Sequence, residues 1–499
     1  MRQVDHWIAG RSVPSSSGRR GPVYDPATGE VQAEVGLASA AEVDMAVQAA
    51  LEAFSPWRAT SLSARAEVLF AFRQLLRDHV DELADLITAE HGKVHSDAVG
   101  EVSRGLENVE FACGLPQLLK GEFSQQASTG VDVHSARQPL GVVAGITPFN
   151  FPAMVPLWML ANAIACGNTF VLKPSEKDPS PSLLLADLLQ RAGLPDGVMN
   201  VLQGDQEAVV ALLDHPEVAA VSFVGSTPVA RSIYQHGTER GKRVQALGGA
   251  KNHMIVLPDA DLDLAADAVV GAAYGSAGER CMAVSVLVAV GPVADPLVEA
   301  VAARVAKLRL GPGTDPDTDV GPLVTGQHRD KVASYVEGAS AEGASVVVDG
   351  RTTTPVGQGL EQGFFLGPTI VDRVRPGMAV YDDEIFGPVL SVVRVDTYDE
   401  AVALVNDNPY GNGTAIFTRD GGAARAFEVD VQCGMVGVNV AIPVPVSYYS
   451  FGGWKDSLFG DAHMYGPAGI DFYTRAKVVT SRWPDPATSS VDLGFPRTR

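Results

Sequence analysis

The 499-residue sequence predicts two doubly wound α/β domains, because short β-rich runs alternate with helical ones in two separate stretches. The first alternation spans residues 141–259 and the second spans residues 284–439. No repeat with a period of roughly 20 to 50 residues and no long low-complexity linker interrupts them. A parallel sheet of this kind binds its ligand at the carboxyl ends of its strands.

A core-facing helix is expected first, over residues 61–90. Its apolar residues recur at three- and four-residue steps, and Gly92 follows as a stop. The predicted strands of the first alternation are 142–146, 169–172, 198–202, 219–224, 244–247 and 254–257. Those of the second are 286–290, 346–348, 390–395, 414–418 and 436–440.

Two further β-segments, 128–138 and 478–481, fall outside both alternations. Exposed strand edges are often covered by another subunit, so pairing of these segments across chains is a hypothesis. A monomer in sedimentation would exclude it.

Composition narrows the class of protein. The chain is 46% hydrophobic and 19% charged, as expected of a globular protein, and its net charge of −21 argues against a nucleic-acid or anionic-membrane surface. It has no apolar run of roughly 18 residues and no apolar signal core, so neither membrane insertion nor export is expected. Four scattered cysteines favour reduced thiols and a cytoplasmic location.

No metal site is expected. His91 and His95 are four residues apart, but the segment lacks the glutamate of a zinc-protease helix and Gly92 interrupts it. The cysteines and histidines elsewhere show no zinc-ligand spacing.

Cys281 is the first candidate for chemistry. It follows the small-residue loop 275–279, and Arg280 beside it offers an electropositive setting that would favour the thiolate. The alternative is a structural cysteine.

Three other segments accompany it. Asn150 lies between aromatics and two prolines in Pro148-Phe149-Asn150-Phe151-Pro152, where a rigid amide can act as an oxyanion donor or merely cap a turn. Lys173 and Glu176 follow a buried strand and could hold ribose hydroxyls, with the carboxylate favouring NAD over NADP; the alternative is a surface ion pair. The turn at Gly225-Ser226 could offer N–H groups to a phosphate or be an ordinary β-to-α turn.

Six motifs occur together in the order and spacing of the aldehyde dehydrogenase superfamily, which nearly the whole chain resembles. They are Pro148-Phe149-Asn150-Phe151-Pro152, Lys173-Pro174-Ser175-Glu176, Phe223-Val224-Gly225-Ser226-Thr227, Leu247-Gly248-Gly249, Gly278-Glu279-Arg280-Cys281 and Glu384-Ile385-Phe386-Gly387-Pro388-Val389.

The resemblance implies an NAD-binding domain (1–123 and 142–250), a catalytic domain (251–445) and a small β oligomerisation domain (124–141 and 474–499) in a homodimer or homotetramer. It implies that Cys281 is the nucleophile and that Asn150 with the Cys281 N–H forms the oxyanion hole. The cofactor contacts that it implies are Phe149, Lys173, Glu176, Lys177, Gly225, Ser226, Glu384 and Phe386.

The sequence departs from the general superfamily pattern at Ala246, where a glutamate would activate water to release the acyl group. A missing base suits an enzyme that passes its acyl group to coenzyme A, and the chain resembles the methylmalonate-semialdehyde dehydrogenase subgroup, which does so. That subgroup's carboxylated substrate implies a cation pair, for which Arg104 and Arg280 are the candidates; Arg104 could instead be a surface helix charge.

The leading prediction is therefore NAD-dependent oxidation of malonate or methylmalonate semialdehyde through a Cys281 thioester. Acyl transfer to coenzyme A would give acetyl-CoA or propionyl-CoA and CO2. Two alternatives stay open. One is a hydrolytic dehydrogenase of succinate semialdehyde or another small carboxylated aldehyde, with water activated by another group such as Glu384, and the other is a non-catalytic NAD-binding relative.

Overall fold

The computed structural model describes residues 1–488. Its strands are β1 (Arg2–Val4), β2 (His6–Ile8), β3 (Arg11–Val13), β4 (Arg20–Tyr24), β5 (Val31–Gly36), β6 (Phe123–Ser128), β7 (Val131–Pro139), β8 (Val142–Ile146), β9 (Thr169–Lys173), β10 (Met199–Val201), β11 (Val218–Val224), β12 (Arg243–Leu247), β13 (Asn252–Val256), β14 (Val284–Val290), β15 (Ser345–Val348), β16 (Thr369–Asp372), β17 (Val389–Val395), β18 (Tyr410–Gly411), β19 (Gly413–Phe417), β20 (Met435–Val438), β21 (Trp454–Lys455), β22 (Leu458–Phe459) and β23 (Thr474–Arg482).

Its α-helices are α1 (Ala40–Ala59), α2 (Leu62–Asp78), α3 (Val80–His91), α4 (His95–Cys113), α5 (Leu115–Leu118), α6 (Met154–Ala165), α7 (Ser180–Arg191), α8 (Gln206–Asp214), α9 (Thr227–Glu239), α10 (Leu262–Tyr274), α11 (Ala294–Val305), α12 (Gly326–Ala339), α13 (Ala379–Asp382), α14 (Tyr398–Asp407), α15 (Gly421–Asp430) and α16 (Gly466–Phe472).

The first large sheet has eight strands in the order β22-β12-β11-β8-β9-β10-β2-β3. Its central strands are parallel, and β8 is fully buried between β11 and β9. The chain runs outward from β8 through β9 to β10 on one side and from β11 to β12 on the other. The order therefore reverses between β8 and β11, and the loops that follow these two strands border the crevice where such sheets bind ligands.

The second large sheet has seven strands in the order β15-β16-β17-β14-β13-β19-β20. β13 is fully buried and pairs in parallel with both β14 and β19. The sequence grouped this strand with the first alternation, but the structure places it at the centre of the second sheet. Two apolar strands in close succession, β12 and β13, therefore belong to different sheets.

A third sheet has the order β23-β7-β6, in which β23 pairs with β7 along its whole length. The two β-segments that the sequence left outside both alternations thus pair with each other within one chain. Pairing across chains stays a prediction, because β23 and β6 are the edge strands of this sheet among the described residues. Residues 489–499 of the predicted oligomerisation segment lie outside the described residues.

One other sequence expectation changes. The helix predicted over 61–90 is divided into α2 and α3 at His79, whose φ of −118° and ψ of 20° are not helical. The segment after the predicted catalytic domain returns to the first sheet, where β22 pairs with β12 at Ala246.

Candidate active site

A cavity of about 220 Å³ opens beside the loops that follow β8 and β11. It brings together residues that are far apart in the sequence, including seven predicted site residues. Its lining consists of Pro148, Phe149, Asn150, Val224, Gly225, Ser226, Gly248, Gly249, Cys281, His328, Lys331, Glu384, Ile385 and Phe386.

Cys281 reaches this cavity from a strained turn between α10 and β14. Ser276 and Ala277 adopt left-handed backbone conformations, each with φ of 51°. Two amides then fix the main chain at this cysteine, since Asn252 Nδ2 and Asn412 Nδ2 both donate to the Cys281 carbonyl oxygen, at 2.9 and 3.1 Å. The sequence singled out neither amide, because nothing in their local patterns links them to Cys281.

The electrostatic setting of the Cys281 thiol differs from the one expected. Burial, as the larger cause, and the nearby Glu384 carboxylate together raise its pKa to about 12. The N–H groups of Cys281 and Met282 and the charge of Arg280 lower it by less. The charge of Arg280 favours the thiolate, as expected, but its effect is smaller than that of burial, and its guanidinium forms an ion pair with Asp97.

Asn150 is 3% exposed and lies in the loop between β8 and α6. This loop begins at Thr147, whose N–H donates to the Lys173 carbonyl oxygen at 3.1 Å. Asn150 lines the same cavity as Cys281. A thiol can attack a carbonyl carbon as a nucleophile, and an amide N–H₂ on the same cavity can stabilise the oxyanion that forms.

The glycine turn after β11 forms the opposite edge of the cavity. Gly225 packs under the Phe223 ring, whose Cζ atom would lie 2.5 Å from a Cβ at this position. A side chain here would therefore have to displace the ring. Its N–H donates to the Leu247 carbonyl oxygen at 3.1 Å and so supports the turn. Ser226 is the N-cap of α9 and its side chain makes no cap hydrogen bond, which leaves the helix N-terminus able to accept a phosphate.

Lys173 is the last residue of β9, and Glu176 follows it in the next loop. Lys173 Nζ donates to the Gly204 carbonyl oxygen at 2.6 Å and lies 3.5 Å from Glu176 Oε2. Lys173 is almost fully buried and Glu176 is partly exposed. The pair therefore exists, with its carboxylate end open to a ligand.

Lys177 lies elsewhere, with its Nζ 4.3 Å from the centre of the Phe149 ring. The Phe149 ring in turn meets the Phe386 ring edge-on, with 5.8 Å between centroids. His328 binds the Phe386 carbonyl oxygen through Nε2 at 2.7 Å and holds this side of the cavity. Three predicted cofactor contacts thus form one aromatic and cationic cluster.

Glu384 faces the paired glycines. Its Oε1 accepts the Ala250 N–H at 2.9 Å, and Gly249 packs directly against the carboxylate. Burial raises the Glu384 pKa to about 7, while the Ala250 N–H and the charge of Lys251 oppose the rise. Ala246 is fully buried in the apolar layer of the first sheet and offers no titratable group to the cavity.

Arg104 and Arg280 do not line the cavity. Arg104 donates to both oxygens of Glu107 and, at 3.2 Å, to the Val444 carbonyl oxygen. Arg280 pairs with Asp97, which lies on the same helix, α4. Helix α4 thus connects the two guanidinium groups, and each is held by an acidic partner.

Sequence reasoning missed several buried polar residues behind the cavity. Glu279 is fully buried, and its carboxylate lies 3.7 Å from His91 Nε2 and 3.6 Å from His328 Nε2. Burial raises the Glu279 pKa to about 8. A buried ion pair between Lys93 and Glu101 links the segment that follows α3 to helix α4. Lys93 lies in the segment between His91 and His95, which the sequence did not support as a metal site. The signal that could have identified these buried residues was the presence of charged residues in apolar surroundings.

Comparison with known proteins agrees with this geometry. The aldehyde dehydrogenase family model matches residues 13–479. Malonate-semialdehyde dehydrogenase of Pseudomonas aeruginosa is 56% identical, over 99% of this chain and 100% of that protein. The protein of Geobacillus kaustophilus called malonate-semialdehyde dehydrogenase 2 is 50% identical, over 97% of this chain and 99% of that protein.

Solved structures agree as well. Methylmalonate-semialdehyde dehydrogenase from Oceanimonas doudoroffii superimposes with a TM-score of 0.96 at 56% identity, covering 98% of this chain and 99% of that one. A Sinorhizobium meliloti protein, provisionally assigned the same activity and complexed with NAD, gives a TM-score of 0.96 at 53% identity, with the same coverage. The predicted fold and the resemblance are both confirmed, and the chain belongs to the aldehyde dehydrogenase family.

Proposed function

We propose that this protein oxidises malonate or methylmalonate semialdehyde with NAD and transfers the acyl group to coenzyme A. The observation that carries the proposal is the single cavity that unites Cys281 and Asn150 with the crevice between β8 and β11. The relatives named for these semialdehydes match over nearly their full lengths.

Each end of the crevice suits a part of NAD. The α9 N-terminus, capped at Ser226, suits a pyrophosphate, and Glu176 beside Lys173 suits ribose hydroxyls. The Glu384 carboxylate and the Phe386 ring suit the nicotinamide end, beside Cys281. NAD supplies a hydride acceptor when it is bound.

The residues then act in order on the aldehyde. The Cys281 thiolate attacks the carbonyl carbon, and the oxyanion that forms accepts hydrogen bonds from the Asn150 amide and the Cys281 N–H. Loss of hydride leaves a thioester on Cys281. Arg104 and Arg280 hold the substrate carboxylate in this step, exchanging their acidic partners for it.

The thiol of coenzyme A next attacks the thioester and releases Cys281. The β-carboxylate leaves as CO2, and the thiol proton replaces it on the neighbouring carbon. Malonate semialdehyde, NAD⁺ and coenzyme A thus give acetyl-CoA, CO2 and NADH, and the methyl-substituted substrate gives propionyl-CoA. Coenzyme A is required because Ala246 cannot activate water.

One observation favours a second candidate, the hydrolytic dehydrogenase of a small carboxylated aldehyde. Glu384 lines the same cavity as Cys281, and its pKa of about 7 would suit a general base near neutral pH. A water activated by Glu384 could then release the acyl group.

The test is NADH production from each semialdehyde with and without coenzyme A, for the wild type and Cys281→Ala. Strong dependence on coenzyme A that disappears in the variant supports the acylating reaction. Turnover that needs Cys281 but ignores coenzyme A would favour hydrolysis. NAD binding without any Cys281-dependent turnover would favour a non-catalytic relative.

Two expectations about the whole protein remain part of the proposal. The third sheet carries exposed apolar side chains at Phe123 and Val478, with Trp483 just beyond it, which supports self-association into a dimer or tetramer. The domain boundaries stated above stay a prediction. No helix among residues 1–488 is long and apolar enough to cross a membrane, and the cytoplasmic location rests on the free cysteines.

A further inference from the structure

We propose that Lys93 and Glu101 are positioning residues for the oxyanion donor Asn150. This inference rests on the proposed role of Asn150. It concerns two buried residues that do not line the cavity.

Lys93 holds the Asn150 main chain directly. It is 1% exposed, and its Nζ donates to the Asn150 carbonyl oxygen at 2.6 Å and to Glu101 Oε2 at 2.8 Å. The ammonium also lies 4.5 Å from the centre of the Phe151 ring, so both residues of this part of the loop contact it. A buried ammonium keeps its charge only with such partners.

Glu101 holds the other end of the same loop. Its second oxygen, Oε1, accepts the N–H groups of Ala153 and Met154, at 2.9 and 3.1 Å. These are the N-cap and first residue of α6, and their N–H groups have no partners inside that helix. One buried ion pair therefore ties the loop at Asn150 and again at the start of α6.

The ion pair itself stands on a rigid support. Lys93 lies in the three-residue connection between α3 and α4, which Gly92 enters in a left-handed conformation with φ of 94°. Gly313 and Gly321, from the chain of the second sheet, pack directly against the carbonyl groups of residues 92 and 93, and the His95 N–H donates to the Gly313 carbonyl oxygen at 3.0 Å. The connection is thus clamped between the two halves of the active site.

The consequence for catalysis follows from the distances that an oxyanion donor must keep. Donors act at about 2.7 to 3.1 Å from the developing charge, and misplacement by about 1 Å can lower a rate a hundredfold. Cys281 belongs to the chain of the second sheet and Asn150 to that of the first. Lys93 contacts both halves, so it sets the separation between amide and thiol.

The experiment is a double-mutant cycle on the hydride-transfer step in the intact enzyme. Asn150→Ala should lower kcat/KM for the semialdehyde by about a hundredfold to a thousandfold. We expect Lys93→Met to lower it by about tenfold to a hundredfold, with NAD affinity and the alkylation rate of Cys281 unchanged. In the Asn150→Ala background, Lys93→Met should have little further effect, because the amide that it positions is gone.

Lys242→Met is the matched control. Lys242 is also a buried lysine that donates to two carbonyl oxygens, those of His215 and Val218, and it precedes β12, at the end of that strand away from the cavity. It should lower stability without changing kcat/KM. If Lys93→Met does not fold, Glu101→Gln replaces it, since the glutamine oxygen can still accept the Ala153 and Met154 N–H groups while its amide displaces Lys93.

The outcomes separate the two proposals. A full activity in Asn150→Ala overturns the proposed oxyanion hole, and with it this inference. The positioning role alone is overturned if Asn150→Ala lowers kcat/KM but Lys93→Met does not. It is also overturned if the two losses in kcat/KM multiply in the double variant. Equal losses in Lys93→Met and Lys242→Met would also overturn it, since they would reflect stability only.

Discussion

At the scale of single residues, the raised pKa of the Cys281 thiol favours its neutral form in the free protein. Burial is the main cause, and the Glu384 carboxylate adds to it. Since Glu384 itself titrates near a pKa of about 7, it is ionised at any pH where the thiol begins to ionise. Cofactor binding that draws Glu384 away would therefore favour the thiolate.

Glu384→Gln should consequently lower the pKa of Cys281 in the free enzyme. Removing a negative charge stabilises the thiolate, so the rate of iodoacetamide alkylation should begin to rise at a lower pH than in the wild type. Glu428→Gln, an exposed change on α15, serves as the control and should leave the profile in place. A profile that moves to higher pH would contradict the role given to Glu384.

Arg104→Met tests recognition of the substrate carboxylate. Charged hydrogen bonds of this kind contribute about 1.5 to 3 kcal/mol, so kcat/KM for malonate semialdehyde should fall by about tenfold to a hundredfold. Propanal has no carboxylate and should be affected little. Equal losses for both aldehydes would show that Arg104 supports the fold through Glu107 and Val444 instead.

At the scale of elements, α4 is the helix that links the site to its support. It carries Asp97, Glu101 and Arg104, and it packs closely on α6 at Gly105. A Cβ at Gly105 would lie 2.6 Å from Leu157 Cδ1 and 3.2 Å from Met154 Cα, so the two helices would have to separate. The position of the Asn150 loop depends on this contact.

Two alanine substitutions in α4 should therefore have opposite effects on stability. Gly105→Ala should lower the free energy of unfolding by about 1 to 3 kcal/mol through overpacking. Gly100→Ala, in the same helix with nothing within 4 Å of its Cβ, should raise it by up to about 1 kcal/mol through helix propensity. Thermal unfolding of both variants decides this, and a stabilised Gly105→Ala would contradict the close approach.

The elements also show what sequence patterns can and cannot predict. Buried parallel strands such as β8 and β9 read as short apolar runs and were predicted closely. The break at His79 was missed because the apolar periodicity continues from α2 into α3. The ion pair between Arg280 and Asp97 was also missed, because the two residues are 183 positions apart in the sequence and only the fold brings them together.

At the scale of the whole molecule, the active site forms where chain segments of two sheets meet. Motifs identified the residues on each side, but their supporting contacts cross between segments far apart in sequence. The segment that contains β22 returns to the first sheet after the second sheet is complete, and no local pattern indicated that return.

The third sheet permits a prediction about assembly. Val478 is 67% exposed in the middle of β23, on a face that the other described residues leave uncovered. Val478→Glu should weaken self-association, because a buried unpaired charge opposes an apolar interface. Sedimentation velocity should then show smaller species than the wild type, whereas an unchanged distribution would place the interface elsewhere.

The central claim is that an acyl group remains on Cys281 until coenzyme A removes it. The most direct measurement is a rapid-quench experiment with NAD and malonate semialdehyde but no coenzyme A, followed by mass spectrometry of the peptide containing Cys281. We expect one NADH per active site and an acyl group on that cysteine, released when coenzyme A is added. Continuous NADH production with an unmodified Cys281 would contradict the claim.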